Sequence, residues 1–308
     1  MTHSREVLLD ILKRGGVEPE LTDDGRYRFV YKNEHLMAEV SETGNLMRIF
    51  DYTWYGVSRW DVEKVTRLQQ VINVCNSSSR AKSVYVFDDD DDEMNVTTIL
   101  VSPLMGDIPN VDGYFAAQLD SILDVHRIIL KEMGDYNENE DENGSEDENE
   151  GEDENGSEDA EKKVVRTSME QKSCIIEALK SLNCQWEESA PDVITFEYQA
   201  ESFILHLSEE TCYAMLIDPS WYSFSNDDIE QLSVVKDVTN DLNWYFATTV
   251  SYARYDKQKE FHIHTYMQLL ILDSIDLRSY FIETFREFFL THHRFYKMMA
   301  ERMADHKE

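Results

Sequence analysis

The chain opens with a helical pattern of apolar residues. Val7, Leu8, Ile11 and Leu12 fall on one stripe, and the pair Gly15-Gly16 is expected to end the helix. Apolar and polar residues then alternate with a period of two, which predicts three strands joined by tight turns. These strands are expected at 25–31, 35–40 and 45–50.

A second helical pattern follows at about 58–76. Ser58 is its expected N-cap, with Asp61 in the place of the acidic partner of a capping box. Trp54 and Tyr55 are assigned to the loop that precedes this helix. Two further strands and a long last helix complete the predicted set, at 82–87, 94–102 and 112–133.

The second half of the chain repeats the first. With an offset of 167, residues 8–108 align on 175–275 without a gap, and 22 of these 101 positions are identical. A one-residue deletion then brings His126 onto His292. One gap over a whole domain indicates one fold used twice. The repeated residues include Asp51 and Asp218, Trp54 and Trp221, Tyr55 and Tyr222, Ser58 and Ser225, Asn73 and Asn240, Asn76 and Asn243, and Tyr85 and Tyr252.

The repeated pattern predicts a tandem α+β protein. Each copy is expected to have the order α-β-β-β-α-β-β-α, with an antiparallel sheet and helices packed on one side. In the second copy, strands are expected near 193–199, 202–207, 212–218, 248–255 and 260–268, and the later helices at 225–243 and 277–303. The predicted division is a first domain at 1–134, an acidic linker at 135–166 and a second domain at 167–308.

Charge and hydropathy narrow the class of protein. The 308 residues include 62 acidic and 29 basic side chains, which gives a formal net charge of −33. Fifteen of the acids lie in 135–161, which lacks Lys and Arg and is expected to be disordered. The acidity argues against binding to nucleic acid or to an anionic membrane surface. With no long apolar run and no signal-peptide pattern, we expect a cytoplasmic protein.

The positions of the cysteines predict side chains that pack in the core rather than bind a metal ion. Cys75, Cys174, Cys184 and Cys212 have neither a CxxC pair nor a zinc-type spacing. The first three align with Leu or Val in the other copy, which favours buried, reduced thiols. The role of Cys212 is left open.

Two features raise the possibility of metal binding. Five aspartates, Asp88–Asp92, occupy a predicted hairpin turn, but the aligned turn carries lysines, so we interpret them as a solvated turn. His262 and His264 alternate on a strand and share one face, where a third ligand would complete a site. We expect no metal ligand and no cofactor. The alternative is a metal-dependent hydrolase or metal-binding protein that uses His262, His264 and nearby carboxylates.

The search for catalytic motifs gives none. The sequence lacks GxSxG, HExxH, CxxC and a Gly-rich phosphate loop. Asp51 and Ser58, with their repeats, are interpreted as a strand end and a helix cap. We therefore expect no enzyme activity and assign no catalytic residue.

The repeated aromatic pair is the most informative local feature. Trp54 with Tyr55, and Trp221 with Tyr222, either fill the gap between helix and sheet or form a hot spot for a partner. Core packing is the favoured interpretation. These four residues are nevertheless the candidate partner-binding residues.

The order of elements and the repeated motif resemble the YbjN family, bacterial proteins with a type III secretion chaperone-like fold. The resemblance rests on Phe29–Tyr31 and Phe196–Tyr198 and on the passages Trp54–Ser58 and Trp221–Ser225, and it covers both halves. It implies a regulator of sensory transduction without enzyme chemistry. The related secretion chaperones bind extended segments of other proteins as homodimers, which two copies in one chain would imitate.

The expected function follows from these points. We expect a non-enzymatic interaction or regulatory module whose two domains form an intrachain pseudo-dimer. The expected partner is a protein or peptide segment, with basic clients favoured by charge. Both a monomer and a homodimer remain open. The aromatic residues of the last helix exceed one stripe, so part of them is expected to face the other domain.

Overall fold

The computed structural model describes residues 2–41, 44–88, 92–104, 111–135, 168–208, 213–271 and 275–305. The acidic linker, apart from Asp135, lies outside the described residues, as do Asp89–Asp91 and Cys212. The predicted disorder of the linker therefore stays a prediction.

Both halves have the same sequence of elements. The first half contains α1 (Thr2–Arg14), β1 (Glu20–Leu21), β2 (Tyr27–Tyr31), β3 (Glu34–Val40), β4 (Leu46–Ser58), α2 (Val62–Ser78), β5 (Lys82–Asp88), β6 (Glu93–Pro103) and α3 (Val111–Met133). The second contains α4 (Ser168–Ser181), β7 (Gln185–Ala190), β8 (Val193–Tyr198), β9 (Glu201–Leu207), β10 (Tyr213–Ser225), α5 (Ile229–Tyr245), β11 (Thr249–Tyr255), β12 (Glu260–Leu270) and α6 (Leu277–Asp305).

Each half builds one six-stranded antiparallel sheet. The strand orders are β1-β2-β3-β4-β6-β5 and β7-β8-β9-β10-β12-β11, so the topology is identical. This confirms the tandem α+β fold. Each sheet has one strand more than predicted, because β1 and β7 lie at an edge and lack the alternation of apolar residues that marks a half-buried strand.

The third predicted strand of each copy was too short. β4 and β10 each run for 13 residues, and they contain the Trp-Tyr pairs that were assigned to a loop. The following helices begin after Asp61 and Asp228, so the predicted caps Ser58 and Ser225 were wrong. Asp61 Oδ1 accepts a hydrogen bond from the amide of Lys64 at 3.1 Å. The second part of each strand was not predicted, because a β-bulge interrupts the alternation of side chains between the two faces of the sheet.

Local chain geometry agrees with several sequence predictions. The turns Lys32-Asn33 and Gln199-Ala200 have positive φ at both positions, as a two-residue hairpin turn requires. Gly15 follows the last residue of α1, and a Cβ at this position would lie 2.3 Å from the ring of Phe115 in α3. Only glycine allows α1 to approach α3 this closely.

The aromatic residues of the last helix, α6, pack within their own half of the chain. Its rings pack into two apolar clusters of the second half, one around Phe203 and Phe285 and one around Val238 and Phe295. The expectation that this helix turns aromatic residues towards the other domain was wrong. Its second stripe packs on α5 of its own half.

Candidate functional site

A bulge in β4 places an indole ring over a histidine. Asp51 pairs with Thr98 and Tyr55 with Val96, so three residues of β4 face one residue of β6. The ring of Trp54, held by a 2.9 Å hydrogen bond from Nε1 to Thr98 Oγ1, stacks on His126 of α3. The ring centroids are 3.7 Å apart.

The second half repeats this arrangement. Trp221 Nε1 donates to Thr265 Oγ1 at 2.9 Å, and its ring stacks on His292 with centroids 4.0 Å apart. The positive φ of Thr53 (49°) and of Ser220 (56°) marks the same bulge in both copies. The Trp–His stack is therefore a property of the fold.

A buried aspartate lies against each of these histidines. Asp51 Oδ2 is 3.9 Å from His126 Nε2, and Asp218 Oδ2 is 3.6 Å from His292 Nε2. Asp51 is 4% exposed and His126 5%. None of these four atoms has a hydrogen-bond partner among the described residues. Buried polar atoms without partners are rare and call for an explanation.

A glutamate completes the cluster in the first half. The ligand atoms of Glu34, Asp51 and His126 all lie within 4.8 Å of one another. Within the described ranges, this is the set of three His, Cys, Asp or Glu side chains that meets such a limit. Glu201 holds the aligned position in the second half, but its set does not meet the limit.

Burial sets the protonation of both clusters. Desolvation, together with the charge of Glu34 and a hydrogen bond to it, raises the pKa of Asp51 to about 7. Desolvation and then Glu201 raise the pKa of Asp218 to about 8. Desolvation lowers the pKa of His126 to about 3. At neutral pH the imidazole is uncharged, so one of its ring nitrogens carries a proton and the other a lone pair.

The two halves meet at a seam formed by α2, α5 and the edge strands β5 and β11. Asn73 Nδ2 donates to the carbonyl of Tyr252 at 2.8 Å, and the amide of Tyr252 donates to Asn73 Oδ1 at 3.0 Å. Asn240 makes the same pair of bonds with Tyr85, at 2.8 and 2.9 Å. The two pairs of residues are equivalent in the internal alignment. The contacts are therefore related to each other as the contacts across a two-fold axis of a dimer are.

A second asparagine secures each edge strand within its own half. Asn76 makes a two-bond pair with the backbone of Ser83, and Asn243 makes one with Val250. Outward-facing backbone groups alternate along an edge strand. Phe87 in β5 therefore follows Ser83 and Tyr85 as the next residue whose amide and carbonyl face outward. The two asparagines bond the backbone of Ser83 and of Tyr85 but not that of Phe87.

A groove lies at each end of the seam. The first, of about 630 Å³, is lined by Phe87, Asp237, Asp241, Asp305 and Arg302 among others, and we call it the acidic groove. The second, of about 520 Å³, lies along β11, and the described residues that line it include Lys236, Arg254 and His264 but no acidic residue. We call it the basic groove.

The four candidate partner-binding aromatic residues are all half-buried. The hydroxyl of Tyr55 donates to Asp135 Oδ2 at 2.5 Å, and Gln231 Nε2 donates to the hydroxyl of Tyr222 at 2.5 Å. The two tryptophans pack against the histidines described above. Their role in partner binding stays a prediction.

The two histidines of the metal hypothesis have other neighbours. His264 Nδ1 accepts a hydrogen bond from the amide of Ser220 at 3.2 Å, within the bulge. His262 Nε2 lies 3.1 Å from Glu260 Oε2. Neither belongs to the one three-ligand set found in the described residues. Asp88 and Asp92 flank a turn that is itself only partly described.

Sequence reasoning missed the cluster, although part of its signal was present. Asp51 and His126 were seen to repeat, but Asp51 was interpreted as a strand end beside a turn, and it lies instead within β4 and is buried. Glu34 and Thr98 are also identical to their counterparts in the second half and were not singled out. Reading these identities as one set would have pointed to the site.

No protein-family profile matches this chain, and no curated protein is significantly similar to it in sequence. The resemblance to the YbjN family therefore stays a prediction. Among the described helices, none is long and apolar enough to cross a membrane.

Proposed function

We propose that the protein is a non-enzymatic interaction module. Its two halves form an intrachain pseudo-dimer, and the acidic groove binds an extended, basic segment of a partner protein. The outward-facing backbone of Phe87 carries this proposal, because it offers one more pair of hydrogen bonds to an added strand.

The seam supports the pseudo-dimer. Asn73 and Asn240 each close the edge strand of the opposite half, so an edge that would otherwise pair with other chains is covered. Coverage ends after Tyr85. The next stretch of β5 carries Val86, 51% exposed, and Phe87, 42% exposed. Apolar side chains beside open backbone groups favour a strand as the ligand.

Charge identifies the kind of segment. Three aspartates and one arginine line the acidic groove, and the whole chain has a net charge of −33. A basic segment is attracted to such a surface and associates faster at low salt. The acidic stretch of this chain at 135–161 is repelled from the same groove. The partner segment is therefore expected to alternate basic and apolar side chains.

The resemblance to the YbjN family supports the same proposal. The secretion chaperones with the related fold bind extended segments of other proteins as dimers. Here the second copy lies in the same chain and meets the first through equivalent residues. A cytoplasmic regulator that holds a client segment is the role that fits.

The test uses two labelled peptides, one alternating lysine with valine and one alternating glutamate with valine. Fluorescence anisotropy with the full chain should detect binding of the lysine peptide alone, weakened by salt. Phe87→Pro removes the outward amide and is tolerated at an edge strand, so binding should fall at least about tenfold. Arg254→Pro is the matched change in β11 and should leave binding unaltered.

A surface variant guards against loss of folding. Asp237 is exposed on α5, so Asp237→Asn removes one groove charge without disturbing the core. It should weaken the lysine peptide at low salt and have less effect at high salt. Equal binding of the two peptides, or unchanged binding in both Phe87→Pro and Asp237→Asn, would overturn the proposal.

A further inference from the structure

We propose that Glu34, Asp51 and His126 form a binding site for a divalent transition-metal ion such as Zn²⁺ or Mn²⁺. This goes beyond the proposed interaction module and differs from the expectation that the chain has no metal ligand. It also lies apart from His262 and His264, which the metal hypothesis had named.

The three ligands come from different elements. Glu34 begins β3, Asp51 lies in β4 and His126 lies on α3. Their ligand atoms lie within 4.8 Å of one another, so an ion between them would need only small side-chain shifts to reach ordinary bond lengths of about 2.0–2.2 Å. Such an ion would join the last helix of the half to its sheet.

Two buried atoms are aimed into this space without a partner. Asp51 Oδ2 and His126 Nε2 face each other at 3.9 Å, and both residues are more than nine-tenths buried. This separation is beyond hydrogen-bond distance, so both atoms remain available as ligands, and Glu34 supplies the third ligand atom that the second half lacks within the same limit. A cation between the two atoms satisfies both of them, and it favours the ionised carboxylate.

The donor set selects the class of metal. Ca²⁺ and Mg²⁺ prefer sites made of oxygen atoms, whereas an imidazole nitrogen with two carboxylates suits Zn²⁺, Mn²⁺ or Fe²⁺. His126 is 5% exposed, and its Nε2 atom, which has no hydrogen-bond partner among the described residues, is the atom that it offers to an ion. Trp54 covers one face of the imidazole and fixes its orientation. Glu34 is only partly buried and provides the side from which an ion enters.

The second half contains a matched comparison. Asp218 and His292 are at 3.6 Å and are also buried, but Glu201 does not complete a set within the same limit. We therefore expect one tight site per chain, in the first half. The aligned residues of the second half serve as controls of the same size, charge and burial.

The experiment is a calorimetric titration of the full, chelator-treated chain with ZnCl₂ and with MnCl₂. Excess Mg²⁺ is present throughout, so that the acidic stretch at 135–161 and the aspartate turn are already occupied. We expect one ion per chain and a rise in the thermal unfolding midpoint. Glu34→Gln should reduce affinity by roughly 100-fold or more, beyond the 10–100-fold typical of losing an outer partner. Glu201→Gln should leave affinity unchanged.

A second pair of variants makes the result decisive. Asp51→Asn should abolish the stoichiometric binding, and Asp218→Asn should retain it. Circular dichroism of each variant checks that it is folded, and Glu34→Gln changes a partly exposed residue that carries little risk for folding. No stoichiometric binding by the wild type, or equal effects in the two halves, would overturn the proposal.

Discussion

The first and second halves of the chain share one fold but differ in what surrounds the seam. Identical residues close the sheet edges and build the Trp–His stack in both copies. Phe87 in the acidic groove corresponds to Arg254 in the basic groove. The comparison teaches that the two copies share their architecture, whereas the grooves at the two ends of the seam differ in the residues that line them.

The seam also contains a contact that Lys82 of the first half makes and that the aligned residue of the second half does not repeat. Lys82 is buried, and its Nζ donates to the carbonyls of Phe246 and Thr248, which follow the last residue of α5. Burial, and then the charge of Arg48, lowers the pKa of Lys82 well below 10.5. Thr249 holds the aligned position in the second half. This contact between the halves is therefore asymmetric, because the first half supplies a buried lysine side chain and the second supplies backbone carbonyl groups.

The largest expected effect comes from removing the stacked tryptophans. Trp221 contacts His292, Phe295 and Tyr296, whereas Trp54 stacks on His126 and contacts Tyr55. We expect Trp221→Ala to cost about 3 kcal/mol or more, and Trp54→Ala less, because fewer rings lose a neighbour. Urea unfolding of the full chain measures both.

Phenylalanine variants separate packing from hydrogen bonding. Trp54→Phe and Trp221→Phe keep an aromatic ring over the histidine but lose the bond from Nε1 to threonine. Each should cost about 1–3 kcal/mol, the penalty for an unpaired polar group plus lost ring area. An alanine variant of Trp54 that unfolds more easily than that of Trp221 would contradict the comparison.

Much of the fold could be predicted from the sequence, because buried apolar residues recur with the period of a helix or of a strand. The terminal helix of each copy, the hairpin strands and the duplication itself followed from spacing. β4 beyond residue 50 did not, because the bulge at Thr53 breaks alternation. β1 and β7 did not either, since an exposed edge strand needs no apolar face.

The site was harder to predict than the fold, for a different reason. Asp51 and His126 are polar residues that become buried only when α3 packs on the sheet, and no local pattern reports such a contact. Asn73 and Asn240 repeat in the sequence, but a side chain that bonds the opposite half looks like any solvent-facing asparagine. Identity between the copies was the available signal, because Asp51, His126 and Asn73 all repeat in the second half.

The next prediction tests whether the two asparagine contacts across the seam open independently of each other. Asn240 bonds the backbone of Tyr85, and Asn73 bonds that of Tyr252. Asn240→Ala should therefore speed hydrogen exchange at the amide of Tyr85 alone, and Asn73→Ala at that of Tyr252 alone. Each should lower stability by about 1 kcal/mol, because these sites are only half-buried and water can replace the amide.

The asparagines that act within one half provide the control. Asn76 and Asn243 are buried and make two bonds each inside their own half. Replacement of either by alanine should cost about 2–3 kcal/mol, because buried backbone groups lose their partners. Faster exchange at both Tyr85 and Tyr252 in a single Asn73→Ala variant would mean that the two contacts open together rather than one by one.

The smallest expected effect concerns an exposed aromatic residue beside the acidic groove. Trp60 is 72% exposed, and the guanidinium of Arg59 lies 5.5 Å from its ring and 6.0 Å from that of Phe87. The aligned residue in the second half is Asp227, so Trp60→Asp copies one half onto the other. Stability should change by no more than about 0.5 kcal/mol in urea unfolding, because the ring is mostly in water. Affinity for the lysine–valine peptide should still fall at high salt, where the added charge is screened and the lost apolar contact remains. A variant that is destabilised by several times that amount, with unchanged peptide affinity, would make Trp60 a packing residue and remove it from the binding surface.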